Sequence, residues 1–355
     1  MIDIRSDTVT LPTPEMRRAM AEAEVGDDVF REDPTVNRLE EETAAILGKE
    51  TALYVTSGTM GNQIGVWVNT DEGDEVIVER DCHLYNYEAG APAVLSRVMI
   101  KPLPGTRGVI TAEQIATAIN PPDLHRAPTK LVCIENTHNR AGGAIFPLDE
   151  IERIGKLCRE RGIRLHLDGA RLWNASVATG IPERRYSEHV DTVSVCFSKG
   201  LGAPVGSALA GTKEVIALAR RRRKTLGGGM RQAGIIAAGA LYALRNHRER
   251  LVEDHANARK LAEALAGLPG YKIDLDGVVT NLVIIEITAK VPAAQVAERL
   301  KAEGVLILAI RPTALRAVTN LNVTSRDIDR VIEAFRKVAK TLPVSYGLHP
   351  VGSAR

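Results

Sequence analysis

The stretch "PLDEIERIGKLCRERGIRLHLDGA", Pro147 to Ala170, decides the fold: a helical segment runs directly into a short apolar strand that ends on an aspartate. Outward from it the alternation repeats. Short apolar runs, "TALYV", "EVIVE" and "KLVCIEN" before it and "VDTVSVCF" after it, are separated by helical stretches. Such runs suit strands buried on both faces, so the pattern predicts an α/β domain built on a mostly parallel, covered sheet. Helix starts are marked locally: Thr13 before Pro14, Asp33 before Pro34 with Gly48 at the far end, and a capping box at Thr111 in "TAEQ".

Beyond "GSALAG" a helical region extends from about Lys213 to Leu268, broken near Gly227 to Gly229. From about residue 250 the pattern changes to the strand-like "YKIDL", "NLVIIEI", "GVLILAI" and "LRAVTNLNV", with helical segments between and after them. The expected organisation is an N-terminal segment and large α/β domain over 1–249, a smaller C-terminal α+β domain over 250–340, and a tail over 341–355.

The bulk properties exclude extremes. With 355 residues, 45% hydrophobic and 25% charged, and a formal net charge of +2, the chain can bury a large core and has no need of an acidic partner. Cys82, Cys133, Cys158 and Cys196 show no metal-site or disulfide spacing, no apolar run spans a membrane, and the N-terminus does not read as a signal peptide. A soluble protein of the reducing cytoplasm, with no metal in its site, is the expectation. The basic run Arg220 to Lys224 does not alter this: at ~100° per residue five helical positions ring the helix rather than form one basic face. It reads as a solvated helix end, and a nucleic-acid partner is not expected.

The chemistry is carried by two strand ends. Asp168 closes one predicted strand and Lys199 follows the next, in "CFSKGLGAP". In open parallel sheets ligands bind at the carboxyl ends of strands. An aspartate there more commonly caps the next helix, but a lysine beside the same edge is expensive to desolvate unless paired or deprotonated. A partly desolvated amine suits a Schiff base with pyridoxal 5'-phosphate, and a carboxylate suits that cofactor's ring nitrogen. The small polar turn Ser57, Gly58, Thr59, between a strand and a helix, offers hydroxyls and free N–H groups to a phosphate; alone it is no more than a turn and a cap.

Taken together, "SDTVT", "DDVFREDPTVNRLE", "SGTMGNQ", "DCHLYNYEAGAPAVLS", "HLDGARLWNA" and "FSKGLGAPVGS" closely resemble the threonine aldolases, within the aspartate-aminotransferase-like fold group (fold type I) of pyridoxal-phosphate enzymes. The resemblance runs from Ile2 to about Lys340. It implies a lyase of amino-acid metabolism that cleaves L-threonine or L-allo-threonine to glycine and acetaldehyde. It also implies the site: Lys199 as the lysine joined to the cofactor, Asp168 on the pyridine nitrogen, Arg171 on the phenolic oxygen, Gly58 and Thr59 on the phosphate. His83 is implied to stack on the ring near the substrate's β-hydroxyl, His125 to contact that hydroxyl, and Ser6 and Arg316 to hold the substrate carboxylate, with Arg171 also among the substrate-binding residues. Lys224 or Arg231 would reach a neighbouring subunit's phosphate, in a homodimer-based oligomer of two or four chains.

Some positions depart from the family pattern. Phe30 and Asn86 stand where tyrosine is usual, Arg31 where glycine is, and Asn320 and Asn322 where histidine and aspartate are. Two alternatives stay open at this level: a β-eliminating lyase using the same cofactor, and a non-catalytic ligand-binding protein on the same fold.

Overall fold

Local signals set the ends of the first long helix. The Asp33 carboxylate accepts the N–H groups of Thr35 and Val36, Pro34 opens the helix Pro34–Leu47, and Gly48 ends it at φ 63°. Thr111 and Gln114 close a capping box on Ala112–Ala118. The structure, a computed structural model, describes residues 1–343, so the expected tail lies outside the described residues from position 344 onward.

Among the described residues the strands are β1 (Ile2–Asp3), β2 (Thr51–Val55), β3 (Glu75–Glu79), β4 (Met99–Leu103), β5 (Thr129–Glu135), β6 (Arg164–Gly169), β7 (Thr192–Cys196), β8 (Ser207–Gly211), β9 (Tyr271–Lys272), β10 (Leu282–Ile287), β11 (Val305–Leu306), β12 (Leu308–Arg311) and β13 (Ala314–Val318). The described residues divide into two units, Thr10–Val252, and Met1–Val9 together with those from Glu253 onward.

In the first unit, seven strands form one sheet in the order β2-β8-β7-β6-β5-β3-β4. Every pairing is parallel except those of β8, which runs antiparallel to β2 and β7. The strands β3 and β7 are buried along their whole length and β6 beyond its first residue, as expected of strands covered on both faces. Pro147 to Ala170 form the expected helix and strand: the helix Leu148–Arg161 buries Ile151, Ile154 and Cys158 and delivers the chain into β6. The fold class is therefore the expected one, and β4 is an addition to it. Its residues, "MIKPL", are partly exposed and contain a proline, which an edge position tolerates.

The second unit has a four-stranded antiparallel sheet, β12-β13-β10-β9, packed with the helices Ala293–Ala302 and Ser325–Ala339 around Leu261, Val283, Ile285 and Phe335. The first nine residues join this unit rather than the large one. Their strand β1 pairs in parallel with β11, Ile2 with Val305 and Asp3 with Leu306, and Ile4 enters the same core.

The basic run is not a solvated helix end. It lies in the helix Lys213–Thr225, where Arg223 is buried and pairs with Asp28 at 2.7 Å, Arg220 pairs with Glu40 at 2.7 Å, and Arg222 covers the Trp67 ring at 4.1 Å. Ringing the helix is what sends these arginines to different partners. Arg31 ends the turn Asp28–Phe30 at φ 63°, ψ 30°, a left-handed conformation open to glycine and costing another residue about 1–2 kcal/mol. The four cysteines are free thiols, all buried. No helix among the described residues is long and apolar enough to cross a membrane.

Candidate active site

Strand register gathers the site. Asp168 of β6 lies opposite Ser194 of β7, and Ser207 of β8 lies between Cys196 and Val55. The ends of β2, β6 and β7 therefore share one sheet edge, and the segments leaving that edge carry Ser57 to Thr59, Arg171 and Lys199. A tight turn holds Lys199: the N–H of Gly202 donates to its carbonyl at 2.8 Å, and that of Ala203 to the carbonyl of buried Phe197 at 3.0 Å. The half-buried Lys199 amine makes no hydrogen bond or ion pair among the described residues.

Behind this edge lies a buried polar network. Asn62, on the helix Gly58–Val68, donates from Nδ2 to Asp168 Oδ2 at 2.9 Å and to Glu88 Oε1 at 2.8 Å. Gln63 Nε2 donates to Glu88 Oε2 at 2.5 Å, and the Ala170 N–H to Asp168 Oδ1 at 3.0 Å. The helix reaches this depth because Gly61 and Gly65 face the sheet. A Cβ on Gly61 would stand 2.5 Å from Ser194 Oγ, and one on Gly65 2.6 Å from the His166 ring.

His83 joins the network through Nδ1, 2.9 Å from Glu88 Oε1, while its backbone N–H donates to Glu135 Oε2 at 2.7 Å. Burial pushes its pKa down, but the Glu88 hydrogen bond and the charges of Asp168 and Glu88 outweigh burial and a nearby Lys199, so the pKa is raised. The ligand atoms of His83, Glu88 and Asp168 lie within 4.8 Å of one another. Within the cluster the Asn62 amide donates an N–H bond to each of the two carboxylates.

An anion cradle sits beside it. In the first turn of Gly58–Val68 the Met60 N–H is taken by Ser57 Oγ and that of Gly61 by the Ser57 carbonyl, which leaves the N–H groups of Gly58 and Thr59 pointing out of the helix. The buried Ser207 hydroxyl makes no hydrogen bond and stands 3.7 Å from where a Cβ on Gly58 would be. An unpartnered amine, a hydrogen-bonded carboxylate and an anion cradle on one edge fit the phosphorylated pyridine aldehyde expected from sequence.

The remaining expected residues fall differently. Arg171 is buried, with Nη1 3.5 Å from Asn139 Oδ1. Ser6 and Arg316 belong to the second unit, where Arg316 Nη2 donates to the Arg5 carbonyl, directly before Ser6, at 3.4 Å. Asn320 is fully buried there and donates to the carbonyls of Asp3 at 3.2 Å and Val318 at 3.3 Å, so it ties down the N-terminal segment. His125 is not brought to the cluster. It is exposed in the loop before Thr129, at the start of β5, whereas Glu135 beside Asp168 is at the other end of that strand. Lys224 and Arg231 are exposed, and Arg231 pairs with Asp27 at 3.0 Å. Phe30 is 70% exposed, and Asn86 donates to the carbonyls of Arg80 and Cys82, both at 2.9 Å.

Sequence reasoning missed Asn62, Glu88 and His166, although all three lie inside or beside quoted motifs. Glu88 is five residues from His83 and Asn62 four from Gly58, spacings without a local signature.

Comparisons with known proteins agree with the resemblance. The family model described as beta-eliminating lyase matches residues 3–290. A protein of Arabidopsis thaliana called low-specificity L-threonine aldolase 1 is 41% identical over 347 residues, covering 96% of this chain and 97% of its own. One of Escherichia coli (strain K12), called low specificity L-threonine aldolase, is 41% identical over 339 residues, covering 95% and 98%. The fold matches a solved structure of Leishmania major threonine aldolase with a TM-score of 0.81 at 20% identity, over 96% of this chain and all of the other.

Proposed function

The chain belongs to the beta-eliminating lyase family, and from that premise we propose that it is a pyridoxal-phosphate-dependent aldehyde-lyase, cleaving L-threonine and L-allo-threonine to glycine and acetaldehyde. The observation that carries this reading is the unpartnered Lys199 amine on the sheet edge where Asp168 stands next to the last residue of its strand. Bound pyridoxal phosphate supplies a conjugated ring that takes up the electron pair of the breaking Cα–Cβ bond.

The chain's own residues do the rest. Lys199 offers its amine to the cofactor's aldehyde, and Asp168 its carboxylate to the ring nitrogen. Gly58 and Thr59 offer N–H groups and Ser57 and Ser207 hydroxyls to the phosphate, with Arg171 for the phenolic oxygen. Ser6 and Arg316 are assigned to the substrate carboxylate, which a guanidinium grips well. His83 spends Nδ1 on Glu88, so its Nε2 is left to take the proton of the substrate β-hydroxyl, directly or through a water.

We further propose a cytoplasmic, homodimer-based assembly in which Lys224 or Arg231 is offered to a neighbouring subunit's phosphate. Lys224 lines a surface groove of about 330 Å³ with Arg31 and Arg221, whose charges support an anionic visitor, while Arg220 in the same lining is paired with Glu40.

The deciding experiment is a product assay on L-threonine and L-allo-threonine with and without added pyridoxal phosphate. Glycine with acetaldehyde, dependent on the cofactor, is the expected result; 2-oxobutanoate would mean β-elimination instead, and equal activity without cofactor would end the mechanism. The role of His83 makes a separate prediction. A base must be neutral, so activity falls as pH drops through its pKa, which Glu88 raises. Glu88→Gln keeps an acceptor for Nδ1 but removes the charge, so the acid limb of kcat/KM should move to lower pH. An unmoved limb, or one displaced upward, would remove His83 from this step.

A further inference from the structure

His166 lies on β6 two residues before Asp168, so the two side chains leave the same face of the strand, toward the helix Gly58–Val68. It is fully buried and unaccounted for by the proposed chemistry. Its Nε2 is 3.2 Å from Asn62 Oδ1, and its Nδ1 is 2.9 Å from Thr192 Oγ1 on the neighbouring strand. Thr192 Oγ1 in turn accepts Asn69 Nδ2 at 2.9 Å.

The donors in this chain are determined from its ends. Asn62 turns both N–H bonds toward carboxylates, so its Oδ1 must accept, and the His166 nitrogen facing it must be the N–H donor. A neutral imidazole then has only Nδ1 as acceptor, and the Thr192 hydroxyl, already receiving Asn69, has its own hydrogen to give. Burial pushes the His166 pKa down to about 4, so the ring is neutral at ordinary pH and the polarity does not reverse.

We propose that His166 is a positioning residue for the cofactor: by fixing Asn62 it sets the orientation in which Asp168 presents its carboxylate to the ring nitrogen. This rests on the reading of Asp168 given above. Without the Nε2 donor, Asn62 Oδ1 loses its buried partner, the amide is free to rotate, and Asp168 loses the bond that holds Oδ2.

Three variants test it, each read by the dissociation constant for pyridoxal phosphate and by kcat and KM for L-threonine per bound cofactor. His166→Phe fills the space without the donor; it should weaken cofactor binding about tenfold and lower kcat roughly 10- to 100-fold, the order expected when a buried polar group loses its partner, with KM little changed. His166→Gln restores an N–H at similar reach and should stay within about threefold of wild type. Thr192→Val is nearly isosteric and frees the imidazole to adopt the other tautomer, so it should lower kcat by about three- to tenfold.

Wild-type binding and kcat in His166→Phe would overturn the proposal, as would a His166→Gln as impaired as His166→Phe beside an unaffected Thr192→Val, the pattern of ring packing alone. Should His166→Phe fail to fold, Thr192→Val decides, and its wild-type behaviour would overturn the proposal. A wild-type chain that binds the cofactor yet releases no glycine removes the proposed reaction while the binding constants still test His166. One that binds no cofactor removes both.

Discussion

Lys199→Ala should lower kcat for glycine release on the order of 10³-fold or more, a loss in the range of a positioned proton carrier and nucleophile removed together. Lys199→Arg should be as inactive, which separates this expectation from a role for positive charge alone. Arginine keeps the cation but stays protonated and has no free amine to offer. The tight turn supports the comparison, because Phe197 and Leu201 on either side are buried and the Gly202 N–H binds the backbone of residue 199, not its side chain. Either variant should therefore keep its fold. Borohydride reduction followed by mass spectrometry gives a readout independent of turnover: the wild-type chain should gain a covalent adduct at Lys199 and the variants none. Turnover above about a tenth of wild type in Lys199→Ala would refute the assignment, since removal of a positioned group costs at least about 10²-fold.

The parts of this site legible in the sequence are those governed by local rules. Asp33, Pro34 and Gly48 mark a helix because each acts within a turn of its own position, and Asp168 and Lys199 are visible because one stands at the end of a recognisable buried strand and the other just beyond the next. What was not legible depends on partners far along the chain. Asn62 meets Asp168 across 106 positions, and His83 binds Glu135 across 52, so neither residue type nor spacing reveals them. The strand β1 escapes for the same reason, being two residues long and defined only by β11. In β4 the obstacle is composition, because an edge strand half in solvent need not be apolar. His125 is the converse case: the resemblance gives it a role at the substrate hydroxyl, while within this chain its exposed loop lies before Thr129, at the other end of β5 from Glu135.

The arginine run shows how much rides on such distant partners, and it makes the largest stability prediction. Arg223 and Asp28 are each 2% exposed, and Arg223 donates from Nη2 to Asp28 at 2.7 Å and from Nη1 to the Tyr54 carbonyl at 2.7 Å. One side chain thus ties the helix Lys213–Thr225 to the turn Asp28–Phe30 and to β2, the strand that leads into Ser57 and Gly58. Arg223→Met preserves much of the volume but leaves the Asp28 carboxylate buried without its counter-charge, and should lower unfolding free energy by about 3–5 kcal/mol. A buried pair is not stabilising merely because breaking it is costly, so the double variant is the sharper measurement. Arg223→Met with Asp28→Leu removes both charges and should recover most of the loss, falling short by about 1–3 kcal/mol for the Tyr54 carbonyl left without its donor. Urea unfolding of the two single variants and the double variant measures this coupling. A loss below about 1 kcal/mol in Arg223→Met would place the pair in the range of exposed surface bridges, contrary to its burial.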